Sequence, residues 1–170
     1  MNIRNSKTED LPVLMQIYDD AREFMRESGN AEQWSGGYPS DKIIISDVEA
    51  ENSYVCEEDG KILGVFCYFF GNDPTYEKIY GGEWLNSEPY GVIHRIAVAK
   101  EAHGKGVAKK CFEFALERAK NVKIDTHKDN VPMQKSLKKN GFVRCGIIYL
   151  ESGDERIAFQ KADDYKSAQK

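Results

Sequence analysis

Residues 90–119 carry the pattern that most restricts the fold of this chain: a strand, a glycine loop and an amphipathic helix in succession. The stretch "YGVIHRIAV" is largely apolar and predicts a strand, and two glycines, Gly104 and Gly106, follow it. A helix that comes next must bury its apolar stripe against other elements, so this unit predicts helices packed on a sheet. Small or apolar residues recur there at the spacing of one helix face: Ala108, Cys111, Phe112, Ala115, Leu116 and Ala119.

Strands and helices also alternate in the rest of the chain. An opening strand in "MNIRNS" precedes a helix that Thr8 is predicted to cap, and Ser40 is predicted to cap a second helix. "SYVCEE" and "KILGVFCYFF" predict a hairpin across an Asp-Gly turn, and "NVKIDTH" predicts a further strand. A helix from Asn130 to Lys139 and a last hairpin, "FVRCGIIYLE" with "ERIAFQK", complete an order typical of a mixed α+β protein.

One domain is predicted over residues 1–162, with a polar tail at residues 163–170, because no linker or repeat divides the 170 residues. No apolar run approaches the ~18 residues of a membrane span, and the first residues lack the apolar segment of a secretory leader. We therefore expect a cytoplasmic protein. The four cysteines match no metal-ligand spacing and are expected to be buried, reduced thiols.

Positive charge is concentrated around the glycine loop. Residues 100–144 hold 12 Lys or Arg and 5 Asp or Glu, although the whole chain has a net charge of −4. This distribution favours a locally held anion over a nucleic-acid surface. The first turn of a helix presents free N–H groups that bind phosphate, and glycine lets the backbone approach it. The chain has neither a Walker motif nor the third glycine of a dinucleotide loop, and a plain strand-to-helix turn would also use two glycines.

A second segment, "NVPMQKSLKKNGF", adds a more specific pattern. Together with "HRIAV" and "EAHGKGVAKK", it resembles the acetyl-CoA core of the GNAT superfamily of N-acetyltransferases, in the order and spacing of that family. The resemblance covers residues 94–150. It implies a central, twisted, mostly antiparallel sheet of about six or seven strands, flanked by about four helices, with strands splayed at the cofactor site.

The resemblance also implies which residues hold acetyl-CoA. The backbone from His103 to Ala108 would surround the pyrophosphate, while Ile96 and Val98 would bond the pantetheine arm. The Ile96 amide would point at the thioester carbonyl as an oxyanion donor. Asn130 and Lys135 would contact the opposite side of the cofactor. The full set of predicted cofactor residues is Ile96, Ala97, Val98, His103, Gly104, Lys105, Gly106, Val107, Ala108, Lys109, Asn130 and Lys135.

Three positions depart from the family pattern. The loop begins with Glu101 where Gln or Arg is usual, and His103 replaces the Arg before the first glycine. Both changes remove positive charge near the phosphates, so either cofactor binding is weaker than is usual in the family or Lys105 and Lys109 compensate for the loss. Leu137 occupies the place of a tyrosine that acts as general acid in much of the family, so that role does not transfer to this chain.

Acetylation of an amine requires a base or a water relay, because an alkyl amine is mostly protonated at neutral pH. His94 lies two residues before Ile96, and strict alternation would put both side chains on one side of the strand. The aromatic-amine branch of the family has a histidine at this place, so His94 is the predicted base; a structural histidine is the alternative. Tyr149 is the candidate replacement acid. Cys111 lies on the buried helix stripe, which argues against a covalent route through a cysteine.

Aromatic residues are frequent in the two loop regions that would face the acceptor. An aromatic pocket with acidic surroundings suits a positively charged amine, although packing in the core is the other explanation. The predicted substrate-binding residues are Trp34, Tyr76, Trp84 and Tyr90.

The sequence thus predicts an acetyl-CoA-dependent N-acetyltransferase. The expected reaction is direct attack of a primary amine, from a small molecule or a peptide, within a ternary complex. A non-catalytic, regulatory acyl-CoA-binding domain is the alternative, motivated by Leu137, Glu101 and His103. A nucleic-acid-binding module fits poorly with the net acidity, and no membrane partner is expected. Dimers are common in the resembled family, so a homodimer is a further expectation.

Overall fold

The computed structural model describes residues 1–163, so all but the first residue of the predicted tail lies outside the described part. These residues form seven strands and four α-helices, as the sequence predicts. The strands are β1 (Asn2–Asn5), β2 (Ser53–Glu58), β3 (Lys61–Phe70), β4 (Gly91–Val98), β5 (Asn121–Thr126), β6 (Val143–Tyr149) and β7 (Glu155–Ala162). The helices are α1 (Leu11–Glu27), α2 (Asp41–Glu49), α3 (Val107–Ala119) and α4 (Val131–Lys139). None of these helices is long and apolar enough to cross a membrane.

The seven strands form one sheet in the order β1-β2-β3-β4-β5-β7-β6. Within the described residues, β4 and β5 are the one parallel pair, and all other neighbours are antiparallel. The predicted mostly antiparallel α+β sheet is therefore confirmed. A main core of residues from the sheet and all four helices includes the fully buried Leu14, Phe66, Phe112 and Leu137.

The start of α1 differs from the prediction. Thr8 does not cap the helix; Thr8–Asp10 form a 3-10 turn, and α1 begins only at Leu11. The Asp10 carboxylate accepts a hydrogen bond from the Lys7 amide at 2.8 Å and binds Arg4 at 2.7 Å. The prediction for α2 is confirmed, because the Ser40 hydroxyl accepts a hydrogen bond from the Ile43 amide.

β4 and β5 separate soon after they meet. Their pairing covers only Gly91 with Val122 and Val92 with Lys123, whereas β4 continues to Val98 and β5 to Thr126. The β5-facing backbone groups of β4 beyond Val92 consequently have no partner on β5. This opening confirms the predicted splay of the strands.

A β-bulge lies in β4 next to this opening. His94 pairs with Cys67 and Ala97 with Val65, so two residues, Arg95 and Ile96, stand opposite one residue of β3. Arg95 has a left-handed φ of 49°. The strict alternation of His94 and Ile96 predicted from the sequence is wrong at this point, because a bulge changes which face the following side chains occupy.

Residues 71–90 form a long connection that packs across the end of the sheet. Its main chain bridges Tyr80 and Ile147 of β6 with hydrogen bonds of 2.8 and 2.9 Å. Two buried amides anchor its far end: Asn121 donates to the Glu88 and Pro89 carbonyls, and Gln160 accepts from the Leu85 amide at 2.8 Å. These contacts hold the segment in a defined place beside β4 and β5.

Candidate active site

A cavity of about 420 Å³ lies where β4 and β5 separate. Its lining includes Ile96 of β4, Thr126 of β5, and Asn130 and Met133 at the start of α4. The loop between α1 and α2 contributes Glu32 to Ser35, and the β6–β7 turn contributes Ser152 and Asp154. His94, Asp73 and Asp125 also line the cavity.

His94 is held by a carboxylate from the 71–90 segment. Its Nε2 atom lies 2.7 Å from Oδ2 of Asp73, and Oδ1 of Asp73 accepts hydrogen bonds from the Thr75 amide and hydroxyl at 2.9 and 2.7 Å. Burial alone would raise the pKa of Asp73, but the bonds from His94 and Thr75 outweigh it and lower that pKa to about 2.

The ionised state of Asp73 determines the tautomer of a neutral His94. A carboxylate can only accept, so Nε2 of His94 carries the proton that it donates to Asp73. The lone pair is left on Nδ1, which lies 3.9 Å from Oδ1 of Asp125. An imidazole in this state is ready to take a proton at Nδ1.

Asp125 lines the cavity and connects three elements of the fold. Its Oδ1 atom accepts a hydrogen bond from the Tyr76 hydroxyl at 2.6 Å, and its Oδ2 atom lies 4.0 Å from Nε of Arg156 on β7. Tyr76 is almost fully buried, and burial together with the neighbouring Asp125 raises its pKa well above the ordinary value. Tyr76 therefore stays protonated and serves as a donor to Asp125.

Sequence reasoning missed Asp73, Asp125 and Arg156. Asp125 had no clear sign, because the strand "NVKIDTH" also carries Asn121, Lys123 and Thr126. Asp73 lies in the turn sequence "GNDPT", where an aspartate commonly makes local bonds such as those with Thr75, so its sequence context resembled an ordinary turn. Arg156 sits in a strand near a turn, and nothing in its neighbours distinguished it.

The four predicted substrate aromatics occupy different places. Trp34 lines the cavity, whereas Tyr76, Trp84 and Tyr90 lie outside its lining. Nζ of Lys123 stands 4.2 Å from the ring centre of Trp84 and 3.9 Å from that of Tyr90. These two rings thus already face a cation of the protein itself. They support the site indirectly, because Trp84 donates to the Tyr76 carbonyl and Tyr90 accepts from the Asp73 amide.

Lys123 is expected to change how the free energy of unfolding depends on pH. Burial lowers its pKa from 10.5 to about 8, so between these values the unfolded chain binds more protons than the folded protein. The free energy of unfolding of the wild type should therefore rise with pH across this window, relative to Lys123→Met, by at most about 3 kcal/mol. Urea unfolding at several pH values measures the difference. The control variant Lys139→Met, at an exposed position, should show the same pH dependence of the free energy of unfolding as the wild type. The same pH dependence for Lys123→Met and the wild type would contradict the prediction.

The glycine loop forms the turn that the sequence predicts. A 3-10 turn at Lys100–Ala102 leads to Gly104 and Gly106, which have φ values of 78° and 83°, and α3 begins at Val107. Both glycines are open to solvent on the side where a Cβ would project. The first N–H groups of α3 have no partner within the helix and face this loop.

Several side chains around the glycine loop already contact other residues of the chain. Glu101, which departs from the family pattern, pairs with Lys61 at 3.0 Å, so its charge is offset within the protein. The His103 ring packs edge-on against Phe24, with ring centres 4.7 Å apart. Lys105 is exposed, and Lys109 lies 3.7 Å from Glu113 of the next helical turn.

Of the other predicted site residues, one lines the cavity and two lie outside its lining. Asn130 lines the cavity and caps α4 by accepting from the Met133 amide at 3.1 Å, while its side-chain amide donates to Gln33. Lys135 is exposed on α4 and lies outside the lining. Tyr149 is also outside the lining; its exposed ring packs against Tyr80.

Leu137, at the place of the family's general acid, is fully buried in the core.

The comparisons agree with the geometry. A family model described as the Acetyltransferase (GNAT) family matches residues 13–142. A solved GNAT family acetyltransferase from Streptococcus agalactiae 2603 is 30% identical, with a TM-score of 0.88 and 96% of each chain covered. No curated protein matches this chain.

Two more distant structures are similar in fold alone. A GNAT family acetyltransferase from Bacillus cereus ATCC 10987 is 21% identical, with a TM-score of 0.64 over 95% of this chain and 96% of that one. A ribosomal-protein-alanine N-acetyltransferase from Brucella melitensis is 20% identical, with a TM-score of 0.62 over 95% of this chain and 99% of that one.

Proposed function

Because this chain belongs to the GNAT family of acetyltransferases, which use acetyl-CoA as acyl donor, we propose that it acetylates a primary amine of a small molecule or peptide by direct attack in a ternary complex. The observation that carries the proposal is the Asp73–His94 pair. It presents a proton acceptor to a cavity that opens between two splayed strands.

The residues around the opening fit acetyl-CoA, which supplies a thioester whose carbonyl carbon accepts the amine. β4 beyond Val92 has backbone groups without a partner on β5, as an extended pantetheine arm requires. The Thr126 hydroxyl lines the cavity and is buried without a hydrogen-bond partner among the described residues. A buried, unpaired hydroxyl is costly, and a ligand amide or carbonyl in the opening would satisfy it.

We assign acetyl-CoA to the residues that the family resemblance indicates. The loop with Gly104 and Gly106 would hold the pyrophosphate, because their left-handed backbone forms the turn into α3, whose first N–H groups have no partner within the helix. Ile96 would supply the oxyanion amide. The proposed set is Ile96, Ala97, Val98, His103, Gly104, Lys105, Gly106, Val107, Ala108, Lys109, Asn130 and Lys135.

His94 is the proposed base. Its Nδ1 lone pair takes the proton from the amine, and the carboxylate of Asp73 stabilises the imidazolium that results. The second carboxylate, Asp125, lies close enough to Nδ1 to hold the incoming ammonium or a bridging water. Trp34 would contact the acceptor directly. Tyr76, Trp84 and Tyr90 would act indirectly, through their hydrogen bonds with Asp125, Tyr76 and Asp73.

Release of the thiol does not require a protein acid. The ordinary thiol pKa is ~8.5, so a thiolate is an adequate leaving group near neutral pH. Tyr149 remains the candidate acid predicted from the sequence. Its place beside Tyr80, outside the cavity lining, gives that role no support.

The proposed activity is tested by thiol release from acetyl-CoA with a panel of primary amines. Turnover with at least one amine is expected. Binding of acetyl-CoA in calorimetry without turnover of any amine would instead favour a regulatory acyl-CoA-binding protein. Absence of CoA binding would contradict both functions.

Replacing Gly106 by alanine should weaken CoA binding about tenfold, because a Cβ at this positive φ strains the turn and fills the side that the phosphates would approach. Gly60→Ala is the matched control. Gly60 also has a positive φ, 75°, and open space, but it lies in the β2–β3 hairpin. Calorimetry with CoA compares the two variants, and equal affinities for both would overturn the assignment of the loop.

A further inference from the structure

Arg156 is a buried cation that the reaction as proposed leaves unused. It lies on β7, lines the cavity and is 6% exposed. Its guanidinium donates to two main-chain carbonyls, those of Glu155 at 3.1 Å and Gln33 at 3.3 Å. A guanidinium has five N–H donors, so most of them are left without a bond to the described residues.

No carboxylate of residues 1–163 meets Arg156 at hydrogen-bond distance. The nearest one, Asp125, keeps its Oδ2 atom 4.0 Å from Nε of Arg156, and its Oδ1 atom is bound by the Tyr76 hydroxyl. Burying a charge without a close partner is costly. A pocket-lining guanidinium in this state is suited to an anionic group of a ligand, which it can bind with two parallel hydrogen bonds.

His94 and Arg156 lie on two sides of the same carboxylate. Nδ1 of His94 is 3.9 Å from one oxygen of Asp125, and Nε of Arg156 is 4.0 Å from the other. Both side chains also line the same cavity, so an acceptor whose amine meets Nδ1 of His94 has Arg156 within the same site. An amino acid has an amine for the first group and a carboxylate for the second.

Building on the proposed function, we propose that the acceptor is an amine with a carboxylate close to its nitrogen, as in a free amino acid, and that Arg156 binds this carboxylate. The acidic residues of the lining do not oppose this arrangement strongly, because Asp125 would face the amine of the acceptor, as proposed above. Glu32 and Asp154 are exposed, so water and salt screen them, whereas Arg156 acts from a buried position. Glu32 and Asp154 would face the side chain of the acceptor.

Matched acceptors test the proposal. Two triplets are compared by thiol release: phenylalanine, phenylalanine amide and 2-phenylethylamine, and arginine, arginine amide and agmatine. Within each triplet only the carboxylate changes, while the two triplets differ in side-chain charge. The wild type should favour the amino acid over the decarboxylated amine by about 10- to 100-fold in kcat/KM in at least one triplet.

Arg156→Gln should bring that ratio close to one, and Arg156→Lys should restore part of it, since lysine keeps the charge but not the two-point geometry. Arg144→Gln, which removes an exposed arginine outside the cavity, should leave the ratio as in the wild type. A ratio that Arg156→Gln does not alter would assign Arg156 a purely structural role and overturn the proposal.

The outcomes separate this inference from the proposed function. Turnover confined to amides or amines without a carboxylate overturns the inference and leaves the acetyltransferase activity in place. Absence of turnover with these six acceptors and with every other amine of the panel overturns both.

Discussion

Replacing His94 by glutamine is expected to lower kcat for the best amine by about 10²- to 10⁴-fold, the usual contribution of a positioned general base. Glutamine retains polarity and a similar reach but cannot take a proton near neutral pH. The KM for acetyl-CoA should change little, because the glycine loop is a separate element. Steady-state thiol release measures both constants.

His127→Gln is the control for this substitution. The His127 ring caps the loop before α4, where its Nδ1 atom accepts a hydrogen bond from the Asp129 amide at 3.1 Å. Its replacement should leave kcat within a few-fold of the wild type. Equal kcat values for His94→Gln and the wild type would exclude His94 as the base.

The substitution Asp73→Asn tests whether catalysis depends on the tautomer of His94. Two donors of Thr75 bind Oδ1 of Asp73, so the oxygen of an asparagine would face Thr75 and its NH₂ group would face Nε2 of His94. Nε2 would then have to accept, and the proton of a neutral ring would move to Nδ1, which could no longer take one from the amine. We expect a loss of kcat about as large as for His94→Gln, by analogy with inverted tautomers in other histidine–aspartate pairs. A loss confined to KM would contradict this account.

Gly82→Ala is expected to be the most destabilising small substitution in the 71–90 segment. A Cβ at Gly82 would overlap the main-chain carbonyl oxygen of Cys145 in β6, and backbone cannot move aside as a flexible side chain can. The cost should be about 3 kcal/mol or more, which corresponds to a fall in Tm of roughly 6–12 °C in a protein of this size. Thermal unfolding followed by circular dichroism measures it.

The neighbouring glycine provides the control. Gly81 has a positive φ of 65° but nothing within 4 Å of its Cβ direction, so Gly81→Ala should cost only the backbone strain of about 1 kcal/mol. Equal destabilisation by the two variants would show that this segment does not depend on close contact with β6. Because the segment carries Asp73 and Tyr76, Gly82→Ala should also lower kcat.

The elements were predictable because their causes are local. The stripe on α3, the hairpins and the turn at Gly104 and Gly106 follow from the periodicity and turn residues of adjacent positions, and all appear where the sequence indicates. The cap at Thr8 failed for a reason that is also physical: Asp10 bonds the Lys7 amide and Arg4 of β1, which made a 3-10 turn the better start.

The aromatic residues show where composition misleads. Trp84 and Tyr90 suggested a pocket for a cationic substrate, and they do face a cation, but it is Lys123 of the chain itself. Composition can predict that aromatic rings attract positive charge. It cannot predict whether that charge comes from a ligand or from a strand that pairs with β4.

The sequence by itself determined the α+β order, the glycine loop at the foot of α3 and His94 as a candidate base, since these depend on residues close together in the chain. Only the tertiary structure decided that Asp73 and Asp125 lie beside His94 and that Arg156 lies beside Asp125. They come from a loop and two other strands, and it is the pairing of β4 with β5, and of β5 with β7, that brings them together. The bulge at Arg95 and the early separation of β4 and β5 depend on the same long-range pairing, which local sequence patterns do not encode.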